Sequence, residues 1–224
     1  MLREISMRQM FKILLLLICL IGLNTPSYSA LRGNLEYKIP IDYDKLSKEE
    51  LDNKADFYYN LALKTSNGTL NKEMSYALNF NSVLSHKCPN IQFYKIRLGI
   101  LYDEIGKDKY AKSYFNHAIG MDSNKPEPYF RLGEFYYKRN LYKKALKPYK
   151  EAYKKGYSTH YETLYKIGDI YEKFGDTEAA LKYLKLASGQ SPNERLNKKI
   201  IKIENFNKIN REYYSDSRIR LQER

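Results

Sequence analysis

Between residues 92 and 192 one pattern of apolar and small residues comes round three times. Leu98-Gly99-Ile100-Leu101-Tyr102 returns as Leu132-Gly133-Glu134-Phe135-Tyr136 and again as Ile167-Gly168-Asp169-Ile170-Tyr171, with the glycines 34 and then 35 residues apart. Downstream, Ala111, Phe115 and Ala118 correspond to Ala145, Tyr149 and Ala152, then to Ala180, Leu184 and Ala187. Gly106, Asn140 and Gly175 share one register between the blocks. Glycine and asparagine tolerate the left-handed geometry that ends a helix, so each unit is expected to be a helix–turn–helix pair. Gly99, Gly133 and Gly168 then fall mid-helix, where glycine costs about 1 kcal/mol relative to alanine. Close approach of another helix backbone, with Ala111, Ala145 and Ala180 as the small opposing surface, is the expected reason.

The flanks continue the pattern in weaker form. Ser47-Lys-Glu-Glu50 has the form of a capping box, and Leu51, Ala55, Tyr58 and Ala62 follow at helical spacing. Thr65-Ser-Asn-Gly-Thr69 breaks that helix, and a second runs from about Asn71 to His86, with Met74, Ala77, Leu78 and Leu84 as its apolar positions and Pro89 as its stop. Ala62 stands where the glycine would be, and the loop is about three residues too long for the pattern, so 47–90 reads as a degenerate pair. After Pro192, Leu196, Ile200, Ile203, Phe206 and Ile209 form one stripe, expected to cap the last unit over 195–212. The tail 213–224 has little to bury and is expected to be mobile. Gly156-Tyr-Ser-Thr-His160 adds one residue between units, and Pro148 predicts a kink, convex to solvent.

A 34-residue period of apolar-Gly-x-x-Tyr followed by Ala-x3-large-x2-Ala resembles the tetratricopeptide repeat (TPR) family. The resemblance covers 92–125, 126–160 and 161–194. It implies an all-α fold: TPR-type helix-turn-helix repeats stacked in a right-handed superhelical solenoid with a C-terminal capping helix. It implies a non-enzymatic scaffold whose first helices line a concave groove for a protein or peptide partner. Counted from each glycine, the groove candidates are Ile96, Ile100 and Asp103, then Phe130, Glu134 and Tyr137, then Tyr165, Asp169 and Glu172, with Arg97, Arg131 and Lys166 at one register beside them. Family members that grip a C-terminal carboxylate use Lys and Asn where this chain has Ile96 and Ile100, so that clamp is not formed. The groove instead reads as apolar at one end and acidic at the other, suited to a hydrophobic anchor followed by basic residues.

Composition adds a compartment and a competing reading. Arg3, Arg8 and Lys12 precede an apolar core from Ile13 to Leu23, and Ser27 and Ser29 suit cleavage before Ala30, so 1–29 is read as a signal peptide and 30–46 as a linker. The apolar core is short of the ~20 residues that span a bilayer. The expected location is therefore periplasmic or extracellular, with an uncleaved membrane anchor as the alternative. A formal charge of +13 leaves room for a second function: a basic envelope-surface protein that binds anionic polymer or membrane headgroups, with the repeats as a rigid spacer. Cys19 and Cys88 provide no disulfide framework, and His86 with Cys88 supplies two metal ligands where a structural zinc needs four. No catalytic constellation or phosphate loop is present, so no cofactor or metal is expected. Most tyrosines fall at the packing register, and no nucleic-acid partner is expected.

Overall fold

Ser47 begins the helical stack with the reciprocal cap its sequence predicts. Its Oγ accepts from the Glu50 N–H at 3.2 Å, and the Glu50 carboxylate accepts from the Ser47 N–H at 2.8 Å. The computed structural model describes residues 41–222, with side chains as far as Tyr213. The expected signal peptide, with Cys19, and residues 30–40 of the expected linker lie outside the described residues. In the segment that precedes the stack, Tyr43–Lys45 forms a single 3₁₀ turn.

The stack is all-α among the described residues. Its helices pair as α1 (Lys48–Thr65) with α2 (Lys72–Lys87), α3 (Gln92–Glu104) with α4 (Asp108–Met121), α5 (Glu127–Lys138) with α6 (Tyr142–Lys154), and α7 (Tyr161–Lys173) with α8 (Thr177–Gln190); α9 (Glu194–Gln222) follows. Each second helix also packs on the first helix of the next pair, and α8 on α9, so the units bury one continuous core.

The turns repeat atom for atom. Gly106, Asn140 and Gly175 all have positive φ, at 67°, 57° and 78°. In each, the next residue's N–H reaches back to the repeat tyrosine: Lys107 to the Tyr102 carbonyl at 2.9 Å, Leu141 to Tyr136 at 3.0 Å, and Asp176 to Tyr171 at 3.0 Å. This is the Schellman arrangement, which satisfies carbonyls that a helix end leaves open.

The mid-helix glycines are explained by a different neighbour from the one expected. A Cβ on Gly99 would lie 2.5 Å from the Phe115 ring, and one on Gly133 would lie 2.7 Å from the Tyr149 ring. At Gly168 the Leu184 side chain would be met at 2.7 Å and the Ala180 carbonyl at 3.2 Å. The partner helix thus presses a large side chain, rather than its backbone, into the glycine gap at the first two units. Ala111, Ala145 and Ala180 are fully buried beside these contacts.

Of the remaining expectations, the long first connection is met and the extent of the cap is modified. The α1–α2 connection has six residues, Ser66 to Asn71, against three between α3 and α4, as expected, and fully buried Asn81 stands where the later pairs have Phe115, Tyr149 and Leu184. α6 runs unbroken through Pro148, which is buried with Ala145, Tyr149 and Ala152. Among the described side chains of α9 only Leu196, Ile200 and Ile203 are buried, while Phe206 and Ile209 are 56% and 64% exposed, and the helix continues to Gln222 rather than ending near 212. Length explains this: at 1.5 Å per residue the 29 residues of α9 reach about twice as far as the 14 of α8. The cap is complete after Ile203.

Candidate partner-binding face

The face formed by α1, α3, α5 and α7 is where the sequence places a partner. Two of its expected apolar contacts are core. Ile96 and Phe130 are 7% and 3% exposed. Phe130 packs on Tyr149 within one cluster, and its ring centroid lies 5.8 Å from Tyr157 and 5.0 Å from His160. The loop with the added residue makes this wall: Tyr157 stacks on His160 at 4.4 Å and donates its hydroxyl hydrogen to Glu127, while His160 Nδ1 caps α7 by accepting from the Thr163 N–H at 3.3 Å. Truncating either Ile96 or Phe130 would damage the fold before it tested binding. Asp169 is buried as well, and so is the side chain of Asp103; Arg97, Ile100, Arg131, Glu134, Tyr137, Tyr165, Lys166 and Glu172 are half-buried.

Charge on this face is organised as a ladder that climbs from unit to unit. Arg97 of α3 donates to Asp56 of α1, with its guanidinium 4.4 Å from the Tyr59 ring and 4.1 Å from the Phe93 ring. At the end of α5, Lys138 lies 3.1 Å from both Asp103 and Glu104 of α3, and Arg139 lies 2.7 Å from Asp103. Lys166 of α7 sits 3.7 Å from Glu134 and 3.8 Å above the Tyr137 ring of α5. Lys199 of α9 lies 2.6 Å from Asp169 and from Glu172 of α7, and 5.3 Å from the Tyr165 ring. At every step the cation belongs to the later helix and reaches back. Arg131 departs from the scheme, pairing with Glu127 of its own helix at 2.7 Å.

This ladder corrects the expected acidic floor. Glu134, Asp169 and Glu172 are on the face, but Glu134 already faces Lys166 of the next unit, and Asp169 and Glu172 share Lys199 of the cap, so less negative charge remains for a basic partner. Tyr137 completes the last junction, its hydroxyl donating to Asp169 at 2.5 Å. Burial favours the neutral acid at Asp169; the hydrogen bonds from Lys199 and Tyr137 and the charges of Lys199 and Lys173 outweigh it and hold the carboxyl below its ordinary range. Burial likewise opposes the charge on Lys199, and Asp169 and Glu172 reverse that and raise it. Burial and the Asp169 carboxylate push the Tyr137 phenol up, so it stays a donor.

Asp56, Lys138, Arg139 and Lys199 belong to this face and do not appear among the sequence candidates. Among the described residues, no three His, Cys, Asp or Glu side chains gather as a metal site, and no helix is long and apolar enough to cross a membrane.

Paired helices, a Schellman turn at a fixed register and a large side chain seated on a mid-helix glycine define a repeat scaffold. The tetratricopeptide repeat family profile matches residues 94–125 and 161–194, so these two segments are tetratricopeptide repeats, a unit from which protein-interaction scaffolds are built. The unit between them, 126–160, carries the same turn and the same glycine contact without matching the profile. Solved structures of MamA share the fold. The "MamA 41-end" structure from Desulfovibrio magneticus RS-1 is 17% identical, covering 76% of this chain and 94% of that one at a TM-score of 0.54. A crystal structure of MamA is 18% identical over 60% of this chain and 79% of that one, with a TM-score of 0.53. At such identities the likeness concerns architecture alone. No curated protein sequence matches the chain.

Proposed function

We propose that this chain is an exported, non-enzymatic TPR scaffold that holds a segment of a protein partner along the face of α3, α5 and α7, in bacterial envelope assembly or secretion. The observation that carries the reading is the combination on that face of reachable Ile100, Tyr137 and Tyr165 with charges that are already matched. A balanced, half-apolar surface suits a segment that brings an apolar anchor and hydrogen-bonding backbone, because rings offer large contact area at small entropy cost. A strongly basic segment would have to displace Lys166 and Lys199 from their carboxylates. The signal-like N-terminus supports export, and the mature chain is expected to begin at Ala30.

Affinity capture on the exported protein, washed at low and then high salt, tests this. A defined polypeptide should survive the salt wash, since screening removes attraction between exposed charges and leaves apolar anchoring intact. It should be lost from Ile100→Glu and Tyr165→Ala, half-buried side chains at the edge of the core, with circular dichroism showing both variants folded. Retention of the same polypeptide by both variants would remove the groove from the account.

A further inference from the structure

A second charge pattern, of one sign, lies on a helix that takes no part in the first-helix face. α6 carries five lysines and one glutamate. Lys143, Lys147, Lys150 and Lys154 recur at i, i+4, i+7 and i+11, which sets them in a row along one side of the helix. The other side, with Ala145, Pro148, Tyr149 and Ala152, is buried. Lys143, Lys147 and Lys154 are exposed. Among the described residues no carboxylate pairs with Lys143 or Lys147, while Lys154 reaches Glu151 at 3.1 Å and Lys150 donates to the Tyr171 hydroxyl at 3.4 Å. Every rung of the ladder on the other face has its counter-charge, while in this row one carboxylate, Glu151, faces four lysines. α8 adds to it: Tyr183 packs on Tyr153 of α6 with ring centroids 5.7 Å apart, and the exposed Lys182 lies beside that ring.

We infer that the α6 row is a binding strip for a linear, phosphate-bearing polyanion lying along the helix. Like charges at i and i+4 repel and weaken a helix on their own, and a polyanion would relieve that repulsion. Lysine side chains rooted about 5–6 Å apart along a helix face can each reach one of a chain of repeated anionic groups. Lysine recognises phosphate as a compact point charge, with no need for the fixed bidentate geometry of arginine. A lipid bilayer is the poorer fit: no large hydrophobic side chain is exposed between Tyr142 and Lys154 to enter it. The strip is independent of the groove, and either can fail alone.

The test is calorimetric titration of long-chain inorganic polyphosphate into the full chain at several salt concentrations. With four to five ammoniums engaged, log K should fall against log salt with a slope of about −3. The triple variant K143Q/K147Q/K154Q should lose about tenfold in affinity and flatten that slope by about 2. K143R/K147R/K154R should bind like the parent, and circular dichroism should show all variants folded. The control K198Q/K202Q/K208Q removes the same charge from α9 and should leave affinity within about twofold. Equal losses in the two glutamine triples would reduce the effect to net charge and overturn the assignment. So would no binding of polyphosphate, or binding only to phosphatidylglycerol vesicles.

Discussion

Lys199 of α9 and Asp169 of α7 meet at 2.6 Å, across the junction between the last repeat and its cap. Leu196, Ile200 and Ile203 bury the same junction from the apolar side, so the pair sits where lost charge and lost packing are felt together. Asp169→Asn keeps the shape and removes the charge that Lys199, Lys173 and Tyr137 share. It should cost about 1–2 kcal/mol near neutral pH, read as a lower denaturant midpoint with an unchanged slope.

The same pair sets a pH dependence. A carboxyl whose folded pKa is depressed contributes stability that is present above its unfolded value, near 3.9, and is lost as pH falls through the folded value. The difference between parent and Asp169→Asn should therefore hold from pH 7 to about 5 and shrink below about 4. A difference that grew in acid would contradict the pairing.

Glycines at two kinds of site should respond with opposite signs. Gly133→Ala drives a Cβ to 2.7 Å from the Tyr149 ring, and overpacking of about 1–3 kcal/mol should exceed the helix propensity gained. Gly120, near the end of α4, has nothing within 4 Å of such a Cβ, and Gly120→Ala should stabilise by up to about 1 kcal/mol. Thermal melts of the two variants decide this.

Much of this packing is legible in the chain itself. Gly99 and Phe115, or Gly133 and Tyr149, lie 16 residues apart, inside one unit and at a fixed register, so a period of 34 exposes them. The ladder is harder to read because its partners stand in different units: Glu134 with Lys166, Asp103 with Arg139, Asp169 with Lys199. Their meeting depends on how consecutive first helices stack. A signal was there, since each acid is followed by a cation about one repeat period later. The burial of Phe130 by Tyr157 and His160 is harder to read, because the loop that carries them adds one residue to the period. The extent of α9 was hidden by its polar end, which offers no apolar stripe, although the sequence from Asn193 onward has no glycine or proline to stop a helix.

Asn140 tests the turn register. At φ 57° it occupies geometry that a residue with a Cβ and no local hydrogen-bonding side chain adopts at a cost of roughly 1–2 kcal/mol. Asn140→Gly should be near neutral and Asn140→Ala destabilising, as read by urea midpoints. Equal effects would mean that the turn relaxes to another conformation.

The overshoot of α9 predicts a boundary. Deleting residues 206–224 removes the exposed Phe206 and Ile209 and should leave the melting temperature nearly unchanged. Deleting 195–224 also strips Leu196, Ile200 and Ile203 from the last repeat, and should lower stability by several kcal/mol at roughly 1.5–3 kcal/mol per buried side chain. Similar melting temperatures for the two truncations would show that the cap is not what closes the stack.

The central claim, that a protein segment lies along the face of α3, α5 and α7, is met most directly by site-specific photo-crosslinking in the native cell. A photoreactive side chain at Tyr165, half-buried on that face, should form a discrete adduct with one polypeptide, and the same probe at Tyr110, exposed on α4, should not. An adduct from Tyr110 with none from Tyr165 would contradict the account and move the partner to the second helices.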